Sequence, residues 1–375
     1  MAVAIEALAP TEPATRSAQR FASLDVVRGL AVAGMVLVEN LPGPLESFRW
    51  WRHAAWHGLT IADVVFPLFL VLVGSGMAQW LRPPVTARTM RRLVTRALAL
   101  IAIGVVVFGW WGEGGGLDSL RIPGVLQRIG VAGLLAGVAI VGLRRWWAIA
   151  LLTGGLLIGY GWLLMTPTVD GCRGVDTPSC TVPGQIDAAT FGTAHLYRDG
   201  TAGYDPEGLA STAGAVASVL IGWLAGDLLR RRRVAAIVAL GGACLVAGVV
   251  WSSTIEVNKR LWTPSFVLVT AAISLALIVA AHVLVDDHPV ARGITWPLVA
   301  LGRNALLVYV GQHIVGVWLS RAHVGTTTAS TWLLEHGVQR TIAPPGAWFL
   351  YAVGMLVAWT AVACALHARR WYVTL

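Results

Sequence analysis

The stretch from residue 53 to 70, HAAWHGLTIADVVFPLFL, carries two histidines, a tryptophan and an aspartate before it becomes almost wholly apolar. From Ile61 to Leu81 the only charged residue is Asp63. A helix needs about 20 apolar residues to cross a hydrocarbon core about 30 Å thick, so this segment is long enough to span a membrane. Working outward, similar segments recur at 24–41, 94–112, 123–143, 146–165, 209–229, 234–252, 262–283, 297–319 and 346–367. The composition agrees: 56% of residues are hydrophobic and 13% charged, with a mean hydropathy of +0.69. Soluble domains are nearer a quarter charged. The expectation is an all-α polytopic membrane helix bundle of about ten transmembrane helices.

Tryptophan and arginine support that reading. Many of the 18 tryptophans fall at segment ends, including Trp50–Trp51, Trp110–Trp111, Trp146–Trp147, Trp262 and Trp296, as in an interfacial belt. Arginines crowd the short connections on one side, at Arg82–Arg96, Arg144–Arg145, Arg230–Arg233 and Arg369–Arg370. The positive-inside rule then puts both termini in the cytoplasm and the 166–208 loop outside. The net charge of +9 is thereby absorbed by topology, and no nucleic-acid partner is expected. Residues 1–20 lack the basic and apolar regions of a signal peptide and read as a flexible cytoplasmic tail ahead of a domain over 21–375. Cys172 and Cys180, on the outer loop, read as a disulfide on the oxidising side. Cys244 and Cys364 fall within spans and read as core residues. The segment 328–342 is too short and polar to span and reads as an interfacial helix.

Polar groups inside such a bundle are costly and therefore informative. Glu39 and Asn40 end the first span, His53 and His57 follow, and Asp63 opens the second. Arg121, Gln127 and Arg128 lie at the outer end of the fourth. A single polar pocket near the outer surface would satisfy these groups together; the alternative is that each reaches the nearby interface separately. A helical turn would place His53 and His57 on one face. A neutral imidazole can accept a proton or attack a carbonyl near neutrality, and Asp63 could fix its tautomer. A zinc site is the rival explanation, but the spacing fits no standard ligand set, so no metal is expected.

Several blocks then resemble the heparan-α-glucosaminide N-acetyltransferase family, which includes a lysosomal enzyme and bacterial members. They are SLDVVRGLAVAGMVLVEN (23–40), HAAWHGLTIADVVFPLF (53–69), RIPGVLQRIGVA (121–132), GYDPEGLASTAGAVASVLIGWLAG (203–226), NKRLWTPSFVLVTA (258–271) and LGRNALLVYV (301–310). The resemblance implies a multi-pass protein of the plasma or inner membrane. Its implied reaction carries an acetyl group from cytosolic acetyl-CoA to an extracytoplasmic amino sugar or glycan. It implies His53 as the active histidine rather than His57, whose position holds asparagine in the lysosomal enzyme. Asp63, Glu39, Asn40 and His57 stand with it as candidates from their place in the outer polar cluster. Glu39 stands where the family usually has asparagine. For the cofactor end, Arg28, Arg303 and Asn304 are candidate phosphate contacts. Arg121, Gln127 and Arg128 are candidates for the pyrophosphate or thioester region. The resemblance also suggests a homodimer. Two other functions stay open at this stage: a secondary transporter using buried charges for coupling, and a scaffold without activity.

Overall fold

The computed structural model describes residues 21–44, 47–112, 116–167, 175, 178, 181–288 and 291–373. The proposed 1–20 tail and the Cys172–Cys180 pair lie outside the described residues. The chain is a helix bundle. Its helices are α1 (Ala22–Glu39), α2 (Ile61–Trp80), α3 (Ala87–Ile103), α4 (Val125–Leu143), α5 (Trp146–Met165), α6 (Val182–Phe191) and α7 (Thr212–Arg230). They continue as α8 (Val234–Ser252), α9 (Pro264–Ala281), α10 (Ala291–Ile294), α11 (Trp296–Arg303), α12 (Ala305–Arg321), α13 (Ala329–Trp332) and α14 (Gly346–Ala368). The described sheet is one short hairpin, β1 (His323–Val324) with β2 (Thr327–Thr328).

All ten expected segments are helical, with two differences of physical interest. Among the described residues, eight helices are long and apolar enough to cross a membrane. The ninth expected span is a pair, α11 and α12, bent by 75° at Asn304. The first, α1, holds Asp25, Arg28 and Glu39 within its 18 residues, too many charges for a lipid-facing span. It is instead an interior helix packed against α2, α11 and α14. Segment 328–342 forms the short α13 and a wider-wound turn at Leu333–Val338, neither long enough to span.

The main core lies where α2 crosses α7. Without a hydrophobic force between helices in lipid, close backbone approach has to supply the packing. Gly222 allows it: a Cβ there would sit 2.1 Å from the Val71 carbonyl oxygen. The Ser75 hydroxyl donates to the Gly222 carbonyl at 2.9 Å across the same contact. A second apolar cluster joins α1, α11, α12 and α14 through Val32, Val36, Leu301 and Val308. A third, with Tyr160, Leu164, Tyr204 and Leu261, closes the end of the bundle where α2 and α9 begin. Together these clusters fix the mutual positions of the end of α1, the start of α2 and the loop before α9.

Candidate active site

Asp63 is the third residue of α2 and its side chain is 1% exposed. One carboxylate oxygen, Oδ2, accepts from the Thr60 N–H at 3.1 Å, the Thr60 hydroxyl at 2.9 Å and the Ala54 N–H at 3.1 Å. These bonds satisfy donors at the start of the helix, where a negative charge also suits the helix dipole. The other oxygen, Oδ1, lies 2.8 Å from His53 Nδ1. A carboxylate only accepts, so Nδ1 carries the proton and Nε2 presents a lone pair.

The loop before α9 closes over this pair. Gly58, at φ +112°, donates its N–H to the Val257 carbonyl at 2.8 Å, tying the His53 loop to residues 256–263. Within that loop the Asn258 Oδ1 accepts from the Leu261 N–H at 3.0 Å, and the Thr263 hydroxyl oxygen accepts from the Asn258 N–H at 3.0 Å. Trp262 anchors it, 1% exposed and edge-on to Phe66 and Phe266. The result brings the Lys259 ammonium 3.0 Å from Nδ1 and 3.1 Å from Nε2 of His53. A point in the ring plane at those two distances would overlap Cε1. Lys259 therefore sits over the ring face, off the lone-pair axis of Nε2. Its nitrogen is also 3.9 Å from Asp63 Oδ1.

The charges around the ring favour a neutral base. Burial pushes the His53 imidazole below its ordinary value; the Asp63 hydrogen bond opposes this and the Lys259 charge adds to it. Burial likewise pushes Lys259 down to about 8, against the attraction of Asp63. Lysine at such a position exchanges its proton far more readily than an exposed one.

A cavity of about 580 Å³ runs from this centre through the bundle. His53, Lys259 and Glu39 line one end, and Met35, Val65, Phe66, Phe69 and Leu306 line the apolar middle. Arg28, Arg92, Arg96 and Arg303 line the far end, with Asp25 and Gln79 among them. From Asp63 to Gln79 along α2 the rise is about 24 Å, at about 1.5 Å per residue. Arg28 pairs with Asp25 at 3.0 Å, Arg92 lies 5.2 Å over Trp80, and Arg303 lies 3.6 Å over Tyr372.

The sequence candidates divide around this cavity. His53, Asp63 and Glu39 meet at one end, and Gln312 donates to Glu39 while accepting from Asn40 Nδ2 at 3.0 Å. Arg28 and Arg303 lie at the other end. The turn carrying His53 and His57 is not helical, so the two rings do not share a helix face. His57 is off the cavity wall, with Nδ1 3.5 Å from Glu256 Oε2. Arg121 also lies off the wall, bridging Asp205 at 3.1 Å and Glu207 at 2.8 Å. Gln127 donates to the Ile122 carbonyl at 3.0 Å. Arg128, 2% exposed, donates to Ser211 and the Gly208 carbonyl and lies 5.0 Å over Trp262. Asn304 is fully buried at the bend, donating to the Ala300 carbonyl at 3.0 Å. Lys259, Arg92 and Arg96 line the cavity without having been singled out as site residues. Lys259 stands in the 258–271 block, and the arginines stand in the basic run used for orientation. Among the described residues, no group of three or more His, Cys, Asp or Glu is placed to hold a metal.

These features define a polytopic membrane protein with a histidine–aspartate centre at one end of an internal cavity and arginines at the other. Residues 20–177, which contain both members of that centre, match the family model described as "Heparan-alpha-glucosaminide N-acetyltransferase, catalytic". The chain is 28% identical over 362 aligned positions to the heparan-alpha-glucosaminide N-acetyltransferase of Homo sapiens, covering 79% of this chain and 53% of that protein. It is also 28% identical over 375 positions to the Mus musculus protein of the same name, covering 81% of this chain and 55% of that one. By sequence, then, the chain is similar to the heparan-alpha-glucosaminide N-acetyltransferases. It spans about half the length of these curated relatives.

Proposed function

We propose that this protein is a membrane-embedded acetyltransferase that moves an acetyl group from acetyl-CoA to an amine or hydroxyl of an extracytoplasmic sugar or glycan. The cavity is the observation that carries the reading, because its chemistry changes along its length in the order the donor requires. The arginine end suits the phosphates of coenzyme A, since guanidinium groups match phosphate geometry. The apolar middle suits the less polar arm. The thioester would then lie beside His53, whose Nδ1 is held by the buried Asp63 carboxylate and which lines the cavity.

In this mechanism the Asp63 carboxylate holds His53 in the tautomer with Nε2 unprotonated. Nε2 takes the proton of the acceptor amine or hydroxyl as it attacks the thioester carbonyl. The tetrahedral intermediate collapses with loss of the coenzyme A sulfur. Direct transfer suits a site where Lys259 leaves the Nε2 lone-pair axis uncovered for the acceptor.

Orientation follows the basic connections: the arginine end faces the cytoplasm, where acetyl-CoA is made, and His53 faces the other side. A transporter would share the bend at Asn304, and a histidine–carboxylate pair can also relay protons. The match of residues 20–177 to the acetyltransferase family model is what favours acetyl transfer over coupled transport. Incubation with labelled acetyl-CoA and a panel of amino sugars tests the reading. Label should pass to a sugar with the wild-type chain and not with His53→Ala. Absence of both transfer and acetyl-CoA binding in the folded wild type excludes it.

A further inference from the structure

We propose that Lys259 is a further catalytic residue, the proton donor to the departing coenzyme A sulfur. This rests on the acetyl-transfer reading above.

The geometry supplies what such an acid needs. Lys259 lines the cavity at the same end as His53, and its nitrogen lies within 3.1 Å of Nε2 without covering that lone pair. The base is therefore open to the acceptor while the ammonium stands beside it. Around the ammonium are His53, Asp63 from the start of α2, Glu39 from the end of α1, Glu207 from the loop before α7, and its neighbour Arg260. The attraction of Asp63 and Glu207 opposes the burial and helps to keep it cationic. Burial at the same time brings it down to about 8, close to where a proton can be given up near neutrality.

The step balances. The acceptor nitrogen or oxygen forms a bond to the carbonyl carbon, and its proton goes to His53 Nε2. The carbon–sulfur bond breaks with its electron pair on sulfur, and Lys259 gives a proton to that thiolate. His53 is then an imidazolium and Lys259 a neutral amine, about 3 Å apart. Because the lysine is the stronger base, the ring gives up its proton and the amine regains one through solvent at the exposed side of His53, and both groups are reset. Nothing is oxidised or reduced, and the products are the acetylated acceptor and the free thiol.

The experiment is coenzyme A release from acetyl-CoA by the full chain in detergent, with glucosamine as acceptor, measured against pH. Lys259→Met should lose about 10²–10⁴-fold in kcat, the ordinary scale for general acid–base groups. Lys259→Arg keeps the charge but cannot give up a proton near neutrality, so it should be as slow as Lys259→Met. The wild type should lose rate as pH rises through about 8, and this limb should vanish in Lys259→Arg. Acetyl-CoA binding reports folding, and Lys259→Arg alone carries the test if Lys259→Met does not fold. A Lys259→Arg variant as fast as wild type, or one that keeps the limb, overturns the proposal and leaves acetyl transfer standing. A folded wild type that neither binds acetyl-CoA nor releases coenzyme A with any sugar of the panel overturns acetyl transfer itself.

Discussion

Asp63 accepts from His53 Nδ1 at 2.8 Å with one oxygen, while the other accepts from the Thr60 N–H and hydroxyl at the start of α2 and from the Ala54 N–H of the His53 loop. One carboxylate thus fixes both the histidine and the helix that positions it. The second role costs about 1 kcal/mol to lose, as helix caps do. The first is a matter of rate. Asp63→Asn should fold and bind acetyl-CoA but lose about 10²–10⁴-fold in turnover. Turnover equal to wild type in a folded variant would reduce Asp63 to a helix-start residue.

The acid limb of the rate profile should lie below pH 6.5, because the folded environment lowers the His53 pKa from that value. The sign runs in one direction: only the neutral ring can act as base, so rate is lost as pH falls through the folded pKa. Removing Lys259 takes away a neighbour that lowers this pKa, so the limb in Lys259→Met should move to higher pH. Removing the Asp63 charge takes away one that raises it, so the limb in Asp63→Asn should move to lower pH. Rates of coenzyme A release across the acid range check all three.

At the other end of the cavity, Arg92→Ala and Arg96→Ala should weaken acetyl-CoA binding with little change in kcat. A hydrogen bond to a charged group is worth about 1.5–3 kcal/mol, which is about 10- to 100-fold in Kd. Binding should also weaken with added salt. Equal affinity of both variants and wild type would place the phosphates elsewhere.

How much of this was legible in the sequence differs by residue. The bundle was, because apolar length and basic connections are local patterns. The charges of α1 were visible too, but not that they make it an interior helix, since that depends on α11 and α14 folding back against it. His53 and Asp63 are ten positions apart and could be paired on paper, and the resemblance already put His53 ahead of His57. That the two rings share no helix face was not legible, because it depends on a non-helical turn. Lys259 is 206 residues from His53, so only the folded chain brings them together. Arg92 and Arg96 were read as topology, and the cavity gives the same charges a second role.

Arg128 makes the opposite case, a conspicuous arginine whose partners are internal. Its bonds to Ser211 and the Gly208 carbonyl join α4 to the start of α7, and Trp262 covers its plane. Arg128→Met should therefore destabilise the protein by about 1–3 kcal/mol by removing these buried charge-assisted bonds between α4 and the start of α7. The remaining folded protein should keep its KM for acetyl-CoA. Thermal unfolding in detergent and a KM measurement separate this from a direct contact with coenzyme A, which would raise KM at unchanged stability.

The His53 ring admits two routes, and kinetics separate them. In the direct route His53 deprotonates the acceptor, which attacks acetyl-CoA in a ternary complex. In the covalent route Nε2 itself attacks the thioester and holds the acetyl group until an acceptor arrives. Both require His53, so His53→Ala should abolish transfer while sparing acetyl-CoA binding. A covalent intermediate gives ping-pong kinetics and a burst of coenzyme A without acceptor. The direct route is favoured here, because an acetyl-imidazole is prone to hydrolysis and 44% of the His53 side chain remains exposed. The expected result is intersecting initial-rate lines and no burst. A burst of one coenzyme A per chain from acceptor-free enzyme, lost in His53→Ala, would establish the covalent route instead. Full activity in His53→Ala would remove both routes and the site with them.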